Sequence, residues 1–156
     1  MTPELEAALH QELMGDEGKV LRVYDDATGK PIVKGTVVVG NPSIGIGRNL
    51  AGRGVSDSEA ELLFGNDCDQ AEVDLLPLLP WIKTLSTNRQ AAIYCLYFNL
   101  DEGNPKRFVA TWPNFLQQLQ AGDFDAAATN LSTSQPWAGQ VGPGRVGRMV
   151  NLVRYG

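Results

Sequence analysis

The chain has a single histidine, His10, two cysteines, Cys68 and Cys95, and no apolar run near the length of a membrane span. One histidine has no second to share a zinc ion with and no obvious place in a Ser-His-Asp triad. The cysteines lie inside apolar helical patterns without metal-type spacing, so they are expected to be buried free thiols, and no metal is implied. Neither a Walker pattern nor a GxGxxG is present, which removes the common phosphate cradles. A basic excess is also missing. Against 18 Asp and Glu there are 13 Lys and Arg, a net charge of −5, whereas a nucleic-acid binder draws most of its affinity from cations on phosphates. No nucleic-acid partner is therefore expected. The opening residues have no basic start leading into an apolar stretch, so no signal peptide, no membrane insertion and a cytoplasmic origin are expected.

What is present fits one ordinary domain of 156 residues, or two small lobes, with 43% hydrophobic and 20% charged residues. Thr2-Pro3-Glu4 reads as a helix start: a capping hydroxyl, a proline at the first position and an acid at the positive end of the dipole. That helix, 3–16, should fade between Gly15 and Gly18. From about 20 to 50 the texture becomes alternating and glycine-punctuated, with a β-branched run from Ile32 to Val39, and predicts a small antiparallel sheet. Ser56 and Glu59 have capping-box spacing. The helix they open, about 57–76, places Ala60, Leu63, Phe64, Cys68, Ala71 and Leu75 on one arc, with Asp67 in its middle. Ala91 to Phe98 is apolar on every side and predicts a central helix. Further helices are expected over 113–121, 125–131 and 144–154. The expected fold class is α+β: a sheet lobe at about 15–55, the connecting helix at 57–76, and a helical lobe at 77–156 joined by the 3–16 helix, with a cleft between the lobes.

The densest polar cluster at structural punctuation is Glu17, Asp25, Asp26 and Ser43. A carboxyl where a helix ends and another where a strand ends is an arrangement glycoside hydrolysis can use, one to protonate the leaving oxygen and one to handle water or carbon. Aspartate in turns and glutamate near helix ends are also common for purely structural reasons.

The order of these residues resembles a known family. Glu17-Gly18, Leu21, Tyr24, Asp26 and Gly29, then Ser43-Ile44-Gly45-Ile46-Gly47, are similar to the glutamate-glycine, aspartate and Thr-Ile-Gly-x-Gly signature of phage lysozymes of the T-even type, glycoside hydrolase family 24. The likeness continues through Ser58-Glu59-Ala60-Glu61, Asp67 and Asp69, Arg89 to Asn99, Phe124-Asp125-Ala126-Ala127, Asn130-Leu131, Trp137, Gln140 and Pro143-Gly144-Arg145 with Arg148. The resemblance implies a lysozyme-like fold and a muramidase cutting the β-1,4 bond between N-acetylmuramic acid and N-acetylglucosamine with inversion. It implies Glu17 as general acid, Asp26 as the residue that orients and activates water, and Ser43 as the hydroxyl that helps hold that water. Phe98, Asn99, Asn130, Gln140 and Arg145 match substrate-side positions, although Phe98 also suits the core and Arg145 a solvated helix start. Arg48 stands where the family has a histidine, and is expected to form a structural ion pair with Asp67.

Two departures stand out. Serine replaces the family threonine at 43, and the stretch from Asp26 to Ser43 is longer than in the T-even proteins. The extra residues, Lys30 to Asn41, are expected to form an extended hairpin, with Asp25 as an outward-facing neighbour of Asp26. No cofactor is implied. Peptidoglycan strands are the expected partner, release to the wall is expected to depend on a holin-like protein, and nothing asks for an oligomer, so a monomer is expected. The alternatives are a lytic transglycosylase, which needs only one glutamate, and an inactive wall-binding module of the same fold. The charge is uneven: residues 1–80 carry 6 basic and 14 acidic side chains, and residues 81–156 carry 7 and 4. This split predicts a basic helical lobe attracting the acidic wall polymer, weakened by salt.

Overall fold

Thr2 opens the first helix as its sequence requires: its hydroxyl accepts from Leu5 N at 3.3 Å and its carbonyl from Glu6 N at 3.0 Å. In the computed structural model, which describes residues 1–16, 18–100, 103–134 and 137–156, this helix is α1, Pro3–Asp16. Strand β1, Val20–Asp25, follows, then β2, Pro42–Gly45, and the short β3, Arg48–Asn49. They form one antiparallel sheet in the order β1-β2-β3, with Tyr24 opposite Ser43, Asp25 opposite Pro42, and Ser43 opposite Asn49. The turn from β2 to β3 needs left-handed backbone at Gly45 and Gly47, at φ 71° and 65°. A side chain there would be strained, which accounts for the Gly-x-Gly spacing.

Helix α2, Leu50–Arg53, is capped by Asn49, whose side chain accepts from Gly52 N at 2.8 Å. Helix α3, Asp57–Leu75, opens with the expected capping box: Glu59 N donates to Ser56 Oγ, and Ser56 N donates back to Glu59 Oε2 at 2.7 Å. A 3-10 turn at Pro80–Thr84 leads to α4, Thr87–Leu100, then α5, Pro105–Thr111, α6, Pro113–Gln120, α7, Phe124–Thr133, α8, Trp137–Val141, and α9, Pro143–Tyr155. Proline begins α5, α6 and α9, where its missing N–H costs nothing. The fold class is thus mixed α+β, a small antiparallel sheet and a helical bundle, as the sequence predicts.

The chain divides into two compact units, Met1–Leu62 and Leu63–Gly156. The first contains α1, which the sequence reading grouped with the helical lobe. In the second, α4 lies in the middle of an apolar core made by Leu75, Ile93, Leu96, Tyr97, Phe108 and Phe115, all fully buried, with α9 packing on α7 and α4. Burying each such side chain contributes about 1.5–3 kcal/mol. Tyr97 places its hydroxyl between Asp74, to which it donates at 2.5 Å, and Gly103 N, which donates to it at 2.9 Å.

Two expectations are corrected. The apolar arc of α3 is buried only at its far end, at Ala71 and Leu75, while Leu63 and Phe64 are exposed. The β-branched run Ile32 to Val39 is not a strand, and no extended hairpin forms. Residues 30–32 begin one: Asp25 N donates to Lys30 O, Ile32 N to Val23 O, and Tyr24 bridges Pro31. Beyond that the backbone turns on itself. Val33 N donates to Thr36 Oγ1 and Thr36 N to Val33 O, so a side chain competes for the groups a ladder needs.

Candidate active site

Asp25 is the residue the returning loop folds around. It is 2% exposed, and its carboxylate accepts from Ala27 N and Gly40 N at 3.0 Å and from Val39 N at 2.8 Å. The Val39 N–H, foremost, with those of Gly40 and Ala27, holds its pKa below the usual value against the opposing effect of burial. The expected outward-facing Asp25 is therefore corrected. Strand alternation assigned its side but could not foresee that the 33–40 loop would cover that side.

Asp26, one residue on, is exposed. Asn41 holds both of its oxygens, the backbone N–H donating to Oδ1 at 2.6 Å and the side-chain amide to Oδ2 at 3.0 Å. Asp26 N donates in return to Asn41 O at 3.0 Å. The two Asn41 donors keep the Asp26 pKa low, although the neighbouring Asp25 charge pushes the other way. An exposed carboxylate ionised throughout the neutral range accepts hydrogen bonds from water well and stores a proton poorly. That chemistry suits orienting a nucleophilic water.

Ser43 is buried on β2. Opposed residues of an antiparallel pair point to one side and alternate residues share it. Tyr24 lies opposite Ser43, and Asp26, one residue past the end of β1, bonds through its N–H to the Asn41 carbonyl, two residues before Ser43. Two of the three expected catalytic residues, Asp26 and Ser43, thus belong to the same small sheet unit, Asp26 exposed and Ser43 buried. Glu17, the expected general acid, lies outside the described residues.

Arg48 also finds a different partner. Its Nε donates to Gly54 O at 2.7 Å, and its Nη1 pairs with Glu59 Oε1. The expected pairing with Asp67 is replaced by one about two turns earlier on the same helix. Glu59 is already oriented by the capping box, and Ser56 foremost, with Arg48, holds its pKa down at about 2. Asp67 is exposed on α3, so its carboxylate is solvated and does not need a cation.

The remaining candidates belong to the helical unit. Phe98, on α4, packs against the core and lines a pocket of about 280 Å³ with Phe64, Cys68, Ala91, Tyr94 and Cys95. Both cysteines are free thiols and half-buried. Asn99 is exposed and turns its amide back to Cys95 O at 2.5 Å. Asn130 is half-buried on α7, and Gln140 is exposed on α8. Arg145, in the first turn of α9, shares an open depression with Arg148, Met149 and Asn151. A cation there opposes the helix dipole, so capping does not explain its place. Among the described residues no group of three His, Cys, Asp or Glu side chains could hold a metal ion, and no helix is long and apolar enough to cross a membrane.

Sequence reasoning misses Gly40 and Asn41, and reads Glu59 only as a cap, not as the partner of Arg48. Gly40-Asn41-Pro42 carried a turn signal only. A Cβ on Gly40 would collide with Asp26 Oδ1 and lie 2.7 Å from Ala27 Cβ, so glycine is required there by close approach.

A small antiparallel sheet carrying an exposed aspartate and a buried serine, in one chain with a helical unit built on a single apolar core, is consistent with a lysozyme-like α+β fold. The sequence model of the family described as phage lysozyme matches residues 15–150. The chain belongs to the phage lysozyme family, and with it to the glycoside hydrolases that break down peptidoglycan. No curated protein sequence matches the chain significantly.

Proposed function

We propose that this chain is an endolysin of the T-even type, glycoside hydrolase family 24, that hydrolyses the β-1,4 bond between N-acetylmuramic acid and N-acetylglucosamine during host-cell lysis. Glu17 protonates the glycosidic oxygen as the bond to C1 breaks. Water adds to C1 from the opposite face with inversion, oriented by Asp26 and Ser43, and its proton passes toward Asp26 and solvent. Phe98, Asn99, Asn130, Gln140 and Arg145 line the path of the glycan, with Arg145 and Arg148 facing its acidic groups. The protein acts as a monomer without cofactor. It waits in the host cytoplasm until a holin-like protein admits it to the wall.

The observation that carries this reading is Asp26, exposed and held ionised by two Asn41 donors, within a chain that matches the family over 15–150. Mass spectrometry of digested peptidoglycan tests it. Reducing muramic ends, each carrying one added water, are expected, and anhydro-muramic ends would replace hydrolysis by transglycosylation. Glu17→Gln and Asp26→Asn should each lower turnover about 10²- to 10⁴-fold in folded protein. Wild-type clearing by either variant would remove that residue from the chemistry.

A further inference from the structure

The 30–41 loop does more than lengthen the sheet unit, because its last residues converge on the two aspartates. Val39 and Gly40 donate backbone N–H groups to Asp25, and Asn41 donates twice to Asp26. Resting on the reading of Asp26 as the residue that orients water, we propose that Asn41 is a positioning residue for the hydrolysis. It clamps both oxygens of Asp26, and Gly40 is the point of contact that lets the clamp close.

A carboxylate offers about four lone-pair directions, and Asn41 occupies one on each oxygen, which fixes the rotation of the group and leaves the others open to solvent. Main chain sets the clamp as well as side chain: Asp26 N donates to Asn41 O while Asn41 N donates to Asp26 Oδ1, so the pair forms an extra rung beyond the end of β1. Gly40 has no room for a Cβ against the same oxygen. Among the described residues, the charged group acting on Asp26 is Asp25, which opposes its ionisation. Asn41 therefore works against a neighbouring negative charge, and its removal should be felt in the titration of Asp26 as well as in turnover.

The test compares Asn41→Ala and Asn41→Ser with wild type, following the Asp26 carboxyl carbon by NMR titration and kcat and KM on peptidoglycan across pH. In Asn41→Ala the Asp26 midpoint should rise. The acid limb of the rate profile should move to higher pH with it, kcat should fall about tenfold while KM changes little, and the helical unit should melt as in wild type. Asn41→Ser, which keeps a short donor, should recover part of each effect. An unmoved Asp26 midpoint, or unchanged kcat, in Asn41→Ala would overturn the proposal. If Asn41→Ala does not fold, Gly40→Ala presses on the same oxygen and should raise the midpoint and lower kcat; wild-type values there overturn it too. Failure of the underlying reading looks different, because Asp26→Asn would then turn over like wild type while the titration still reported the clamp. That result would leave Asn41 a structural contact and end its catalytic role.

Discussion

The two units solve the same stability problem with different materials. Every buried apolar side chain among the described residues belongs to Leu63–Gly156, whereas in Met1–Leu62 the buried side chains are Asp25 and Ser43. A segment of about sixty residues buries a smaller share of its surface than a larger domain does. Here a carboxylate occupies the place a leucine would take, and it organises the backbone by accepting three N–H groups. Directed bonds fix geometry more closely than apolar contact does, and that favours holding Asp26 still. The cost is sensitivity to protonation, which an apolar core does not share.

The sharpest way to break this contrast begins in the helical unit. Leu96→Ala, at a site with no exposure, should lower stability by about 2–5 kcal/mol, read by urea unfolding through tryptophan fluorescence. All three tryptophans, Trp81, Trp112 and Trp137, lie in that unit, and a negligible loss would mean the core is not what holds it. Asp25→Ala should act locally. The Val39 and Gly40 amides lose their acceptor and should exchange roughly tenfold faster or more, with the tryptophan transition in place. Acid should mimic that variant. Asp25 and Asp26 have folded pKa values below the ordinary 3.8, so their contribution is complete above that value and is lost as pH falls through the lower folded values. Hydrogen exchange below pH 3.8 should therefore release residues 39–41 before α4, and simultaneous release would erase the contrast. Arg48→Lys should do least. It gives up the Nε bond to Gly54 but keeps a charge for Glu59 across a partly exposed pair, and its melting shift should be the smallest of the series.

Features written in local chemistry were legible from the sequence. Pro3 and Pro113 start helices, Ser56 and Glu59 close a capping box, and the all-round apolar Ala91 to Phe98 lies in the buried α4. What failed depended on distant partners. The β-branched run 32–39 has strand propensity, but propensity reports fit to a neighbouring strand, and the Val39 and Gly40 donors went to Asp25 instead. Asn41 before Pro42 reads as a turn residue, so its role became visible only when the loop closed. Family likeness matches Asp67 to Arg48, yet Arg48 pairs with the Glu59 that caps α3 and is already oriented by Ser56. A charge split at residue 80 does not coincide with the structural boundary, which falls after Leu62. Counted there, the first unit has 6 basic and 10 acidic residues and the second 7 and 8. The helical unit is thus not basic as a whole, and its positive character is concentrated on α9 at Arg145, Arg148 and Arg154.

The loop is pinned at both feet, by the Tyr24–Pro31 bridge at one end and by the Val39 to Asn41 hydrogen bonds at the other. Between them the side chains of Val33 and Val37 are 67% and 84% exposed. Changing the length of such a span costs little, about 0.6 kcal/mol for each doubling of a flexible loop. Residues 32–38 are accordingly the natural graft point of this enzyme. A lineage or an engineer can rewrite their contour and chemistry freely, provided Gly40 remains the hinge pin on which the aspartate rests.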